Sequence, residues 1–135
     1  MNITYAHTHT RLKRVNVRQY NIVGYGLDNL YPQTVKNITE ASSMAESVIN
    51  TRAEFIEGKG FVNEQIYQAI VNNDGQTMDE LLKKWADDSA RYDGRAYLCK
   101  YNALGTISEI FHIPFEFCRL GDDDEKGKIA VYDSG

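Results

Sequence analysis

Apolar or small residues recur three or four positions apart at Val35, Ile38, Ala41, Ala45, Val48, Ile49, Ala53 and Ile56. That is the period of a helical stripe turned toward a core. Asp28 or Asn29 can cap its start, and Pro32 suits a first turn, where its missing N–H would have no partner. Ser42 or Ser43 can divide the stripe into two helices, with Glu46 completing a capping box. Gly58-Lys59-Gly60 reads as the helix exit, since glycine supplies the left-handed geometry that ends helices. A short helix over residues 64–71 is closed by the turn signature Asn73-Asp74-Gly75. Thr77-Met78-Asp79-Glu80 is then a capping box opening a further helix. Leu81, Leu82, Trp85, Ala86, Ser89 and Ala90 form its apolar face, and Lys83, Lys84, Asp87 and Asp88 its solvent face.

After Asp93-Gly94 the period changes from helical to extended. Residues 96–101 and 106–113 flank a turn at Asn102-Ala103-Leu104-Gly105 and predict a hairpin. Pro114 interrupts it, and residues 115–120 and 128–132 predict two further strands around an acidic loop. Helices followed by strands predict an α+β fold: a basic extended arm over 1–23, then a domain over 24–135. That domain should hold two or three helices with an antiparallel β-meander packed on them. Gly24-Tyr25-Gly26, between arm and domain, reads as a hinge.

The length, 135 residues, suits one domain, and 42% hydrophobic with 25% charged residues is globular usage. With no apolar run of about 18 residues and no signal-like start, the expectation is an intracellular chain whose Cys99 and Cys118 stay thiols. The net charge of −4 is arranged in blocks: Arg11, Lys13, Arg14 and Arg18 precede the first acid, Asp28, while Asp122-Asp123-Asp124-Glu125 lies near the end. Such a basic arm can follow a phosphate backbone, meet an acidic neighbouring subunit, or stand solvated. One expectation is therefore a small intracellular binding module that docks nucleic acid or an acidic protein through this arm.

Candidate chemistry is thin. His7 and His9 can share one side of a strand, but zinc requires three or four ligands. Cys99, His112 and Cys118 lie in predicted strands with no helix start nearby to lower a thiol pKa. Gly24-Tyr25-Gly26 lacks the lysine and third glycine of a phosphate-binding loop. Asp87, Asp88 and Asp93 read as solvated charges, and Trp85 as core. The expectation is no enzyme, no metal and no cofactor.

A different signal lies in the order of motifs. Gly26-Leu27-Asp28-Asn29-Leu30-Tyr31-Pro32 leads into a helix ending at Phe55-Ile56-Glu57-Gly58-Lys59-Gly60-Phe61. Ala86-Asp87, Tyr92-Asp93-Gly94, Ala96-Tyr97-Leu98, Gly105, Ile113-Pro114 and Arg119 follow. Over roughly residues 24–132 this order resembles the N-terminal wing region of tailed-bacteriophage portal proteins, of the kind found in phages and prophages of Bacteroides-like bacteria. One departure is Arg95, where the family more usually carries a small polar residue. The resemblance implies a structural subunit of the ring through which DNA enters and leaves the capsid, here as an N-terminal fragment of a longer chain. It implies as partners other portal subunits, the packaging terminase, head-completion proteins and weakly bound double-stranded DNA, with no membrane. The place implied is the capsid vertex of the virion, and the host cytoplasm during assembly. Structural roles fall to Asp28, Asn29, Tyr31 and Pro32 at the helix entry, Gly58 and Gly60 at its exit, and Gly94 and Pro114 at the strand turns.

Overall fold

The computed structural model describes residues 14–17, 22–121 and 129–131. Its elements run β1 (Arg14–Val17), β2 (Ile22–Tyr25), α1 (Tyr31–Glu40), α2 (Ser43–Glu57), α3 (Glu64–Tyr67), α4 (Met78–Tyr92), β3 (Ala96–Tyr101), β4 (Ile107–Ile113), a 3-10 turn (Phe115–Phe117), β5 (Cys118–Gly121) and β6 (Ile129–Val131). The fold is α+β, as the pattern predicts.

Helix α4 is the central element. Thr77 Oγ1 accepts from the Glu80 N–H and the Glu80 carboxylate accepts from the Thr77 N–H, so both halves of the expected capping box are formed. Leu81, Ala86 and Ala90 on α4 are buried, together with Ala96 of β3, Ile22 of β2 and Cys118 of β5. Helix α2 packs on α4 from one side, and the hairpin β3–β4 meets α4 from another.

The helical division at Ser42 is present: its hydroxyl accepts from the Ala45 N–H and opens α2. Because Ser42 and not Ser43 is the cap, Glu46 falls one position too late for a capping box and pairs with Arg91 of α4 instead. The expectation that the stripe over Val35 to Ile56 is buried fails on α2, which buries none of its residues fully; Ile38 of α1 and Val48 are each 64% exposed. With α4 as its main neighbour, α2 has more apolar circumference than α4 can cover. The short helix ends at Tyr67, not near residue 71, because the Asn73-Asp74-Gly75 turn folds Val71 N–H onto Gln76 O and bridges Ile70 to Thr77.

The strands form two antiparallel sheets, β1-β2-β5-β6 and β3-β4, so the four C-terminal strands do not continue as one meander. Pro114 causes the break. It has no N–H to extend the β4 ladder, and the next N–H, of Phe115, goes to the Asp88 carboxylate on α4. The chain turns there, and β5 pairs with β2 in the register Ile22↔Gly121 and Val23↔Leu120. The division after residue 23 therefore falls inside β2, whose Ile22 is buried, and Gly24-Tyr25 is strand rather than hinge. Arg14 lies in β1, while Arg11, Lys13, Arg18, His7, His9 and the acidic run at Asp122 lie outside the described residues.

Truncating Leu81, which is fully covered, should cost about 2–5 kcal/mol, whereas Ile38→Ala should stay within about 0.5 kcal/mol of the parent. Urea unfolding followed by circular dichroism separates the two; equal losses would place the core elsewhere.

Candidate functional site

The helix-entry motif folds around one buried cation. Arg119, 1% exposed near the start of β5, donates from Nε to Asn29 Oδ1 (2.6 Å) and from Nη2 to Asn29 O (2.8 Å). Its Nη1 donates to Glu116 O (2.7 Å) and Cys118 O (2.9 Å), and the guanidinium lies 4.8 Å from the Tyr25 ring centroid. Hydrogen bonds to a charged donor are worth about 1.5–3 kcal/mol each, enough for this set to offset the cost of burying the guanidinium.

Asn29 is shaped for this role by its backbone. Its φ of 58° is left-handed, which asparagine tolerates better than most residues, and Oδ1 also accepts from the Tyr25 N–H (3.0 Å). Neither Asp28 nor Asn29 caps α1: Leu30 holds the cap position with no side-chain bond, and Asp28 Oδ1 accepts from the nearby Leu30 N–H. Carboxamide and carboxylate are spent on the turn before the helix. Pro32 does occupy the first turn and is buried, and Tyr31 beside it is half exposed.

Gly94 belongs to the same constellation through a close approach rather than a positive φ. The left-handed residue that ends α4 is Asp93, at φ 55°. Gly94 instead lies under the Phe115 ring, where a Cβ would come within 2.4 Å of ring carbon. Phe115 in turn stacks on Tyr92, with ring centroids 5.7 Å apart. Tyr25, Tyr31, Pro32, Val35, Tyr92 and Phe115, together with Arg91 and Asp93, line an open cleft of about 280 Å3. Gly58 and Gly60 stand apart from it at the exit of α2, both at positive φ, with Gly58 at φ 60° and ψ −129° outside the left-handed helical region.

A second anchor corrects the sequence reading of Asp88 as a solvated charge. Asp88 is 7% exposed, and its Oδ2 meets His112 Nε2 of β4 (2.8 Å) and accepts from the Phe115 N–H (3.1 Å). One carboxylate oxygen thus ties α4 to both sides of the Pro114 break. A third polar link joins the helices: Arg91, its side chain largely buried, donates to Thr39 Oγ1 and Glu46.

Catalysis would need an activated group. Burial pushes the Cys118 thiol above its ordinary pKa, and its Sγ lies 3.7 Å from Pro114 O, an arrangement that opposes the thiolate. Cys99 lies opposite Ile110 in the hairpin, bonded to no other cysteine. Among the described residues, no group of three or more His, Cys, Asp or Glu side chains is placed to hold a metal ion, and no helix is long and apolar enough to cross a membrane. The geometry provides anchoring and a small open cleft of mixed polar and apolar lining.

Sequence reasoning missed Asp88, His112, Arg91 and the role of Arg119. Asp88 lies seven residues after Leu81 and three after Trp85, on the face that the helical period marks as inward. Arg119 interrupts the run from Phe115 to Leu120, an isolated cation in a strand otherwise rich in apolar residues.

No family model matches the chain, and no curated protein or solved structure matches it.

Replacing Arg119 by Lys keeps the charge but loses the planar fork, and should cost about 2–4 kcal/mol in chemical denaturation. Arg95→Lys, at an exposed position, should be neutral; a neutral Arg119→Lys would mean that the fork is dispensable. Alkaline stability tests the cleft independently. Burial raises the Tyr25 and Tyr92 phenols above their ordinary pKa, Glu116 adding to the effect on Tyr92, and the bond to Glu116 raises Lys36. The unfolded chain then loses these protons first as pH rises, so the folded state is progressively disfavoured. The urea midpoint should be steady from about pH 7 to 8, begin to fall near pH 9 as the unfolded chain loses the Cys118 proton first, fall further above about pH 10, and fall less steeply there in Tyr92→Phe.

Proposed function

We propose that the chain is the N-terminal wing portion of a phage portal subunit, a mechanical part of the DNA-conducting ring at the capsid vertex, and carries no catalytic centre. What supports this is convergence. Several of the motifs that carry the resemblance, though not Gly58, Gly60 or Gly105, are separated by up to 90 residues of chain, from Asn29 to Arg119, and meet in one place. Asn29 bonds Arg119, Pro32 and Phe115 border one cleft, Gly94 lies against Phe115, and Pro114 sets the turn that brings β5 to β2. Their co-occurrence is then one physical requirement, the fastening of the helix entry to the strand that follows the hairpin.

The remaining partners follow from that role: neighbouring subunits, packaging terminase, head-completion proteins and passing duplex DNA. A chain of net charge −4 suits a conduit, because each neutralised phosphate would add affinity and slow translocation. The longer chain would supply the tunnel and the terminase-facing parts.

The test is the gene. Its frame should continue beyond Gly135 into long helical segments beside a packaging ATPase gene, and the whole product should image as closed rings by negative-stain electron microscopy. A stop codon at that point among unrelated genes would overturn the proposal. So would duplex-DNA binding by this chain that is tight at low salt, collapses with added salt and disappears when residues 1–20 are removed, since that behaviour belongs to a binding module.

A further inference from the structure

Two clefts share one pair of rings. The first, of about 280 Å3, has Tyr25, Tyr31, Tyr92 and Phe115 in its lining, with Pro32. The second, of about 130 Å3, shares Tyr25 and Phe115 and continues along Arg95, Ala96 and Leu120. Gly94 lies against Phe115, and its chain neighbours divide between the clefts, Asp93 lining the first and Arg95 the second. Of the four charged residues in this groove, three are engaged: Arg91 by Glu46 and Asp87, Asp93 by Arg52, and Arg119 by Asn29 and two carbonyls. The exposed Arg95 has no ion pair or side-chain hydrogen bond among the described residues. Among them the hydroxyls of Tyr25, Tyr31 and Tyr92 have no hydrogen-bond partner either, although a partly buried phenol ordinarily finds one.

We infer that this groove docks an extended, proline-containing segment of a partner protein that carries a carboxylate beside its prolines. A polyproline II strand makes no internal hydrogen bonds, so its carbonyls require donors, and the three tyrosine hydroxyls supply them. Its pyrrolidine rings pack on aromatic faces, the mode by which aromatic-lined grooves take proline-rich segments. Both clefts are open, which suits a chain passing across the surface rather than an enclosed small molecule.

Charge decides what accompanies the prolines. The guanidinium of Arg95 is the groove's unclaimed charge, and its planar fork can take a carboxylate through two parallel bonds. A single-stranded nucleic acid fits less well, because it requires cations along its whole backbone. Here burial raises the Tyr92 phenol pKa, and Glu116, Asp88 and Asp87 add to that rise against the opposing effect of Arg91, so carboxylates surround the aromatic end. The segment comes from another protein, since the chain's own two prolines, Pro32 in α1 and Pro114 before the 3-10 turn, are built into the fold. The docking site does not rest on the portal reading, and either can fail without the other.

A capped peptide of four prolines followed by two glutamates, titrated into the isotopically labelled 135-residue chain, should shift the amide signals of Gly94, Arg95 and Phe115 saturably, with a Kd of about 0.1–1 mM. Arg95→Glu and Tyr31→Ala, both at exposed positions, should keep the parent far-UV spectrum. Arg95→Glu should weaken binding about three- to fivefold, the scale of one exposed ion pair, and turn the preference toward a peptide ending in two lysines. Tyr31→Ala, which removes a ring and a donor, should weaken both peptides alike. A parent chain showing no saturable shift at about 5 mM peptide would overturn the inference. So would equal binding of a peptide with glycines in place of the prolines, or an unchanged affinity in Arg95→Glu. Oligothymidylate that moves the same amides at lower concentration than the peptide would overturn it in favour of a nucleic-acid groove.

Discussion

The structure depends on a guanidinium out of water. Arg119 has its Nε and both Nη atoms engaged, by Asn29, Glu116 and Cys118, and its flat side near Tyr25. A buried cation is tolerable only while its partners hold position, so every element that supplies one is fixed by it. Asn29 belongs to the turn before α1, Tyr25 ends β2, and Glu116 and Cys118 flank the passage into β5. One side chain therefore joins the N-terminal hairpin, the entry to the first helix and the strand that follows the Pro114 break.

Asp88 does the corresponding work on the other side of α4. Its carboxylate receives His112 and the Phe115 N–H, so the hairpin β3–β4 and the chain leaving it are both referred to the same helix. Between Arg119 and Asp88 runs the short segment from Pro114 to Cys118. Proline ends one sheet, the 3-10 turn redirects the path, and the polar anchors determine where the next strand begins. With a core composed mostly of small residues beside Leu81, directional polar bonds specify the architecture where bulk packing cannot.

Much of the framework was legible in the sequence because it depends on local chemistry. Thr77 with Glu80, Ser42, Pro32 and the glycines after α2 act within a few residues of themselves, and each does what its type dictates. The Asp88 anchor was hidden because a charged residue on the inward face is satisfied only by a partner 24 residues away, which no local pattern contains. The role of Asn29 was misread for a similar reason. A residue suited to capping was instead drawn into a left-handed turn by Tyr25 and Arg119, the latter 90 residues distant. The outer face of α2 shows the converse limit: period reveals that a stripe exists, but not whether the same chain covers it.

The contact of Gly94 with Phe115 has a consequence for descent. The absence of a side chain at one position and the presence of a ring at the other are a single steric fact, joining two points well separated in sequence. Any lineage that enlarges the first must shrink or move the second, so the two positions drift as a pair even when the surrounding sequence has diverged. Such a linked pair, one member following a left-handed aspartate and the other a proline, is a compact fingerprint by which remote kin can be sought when overall identity has faded.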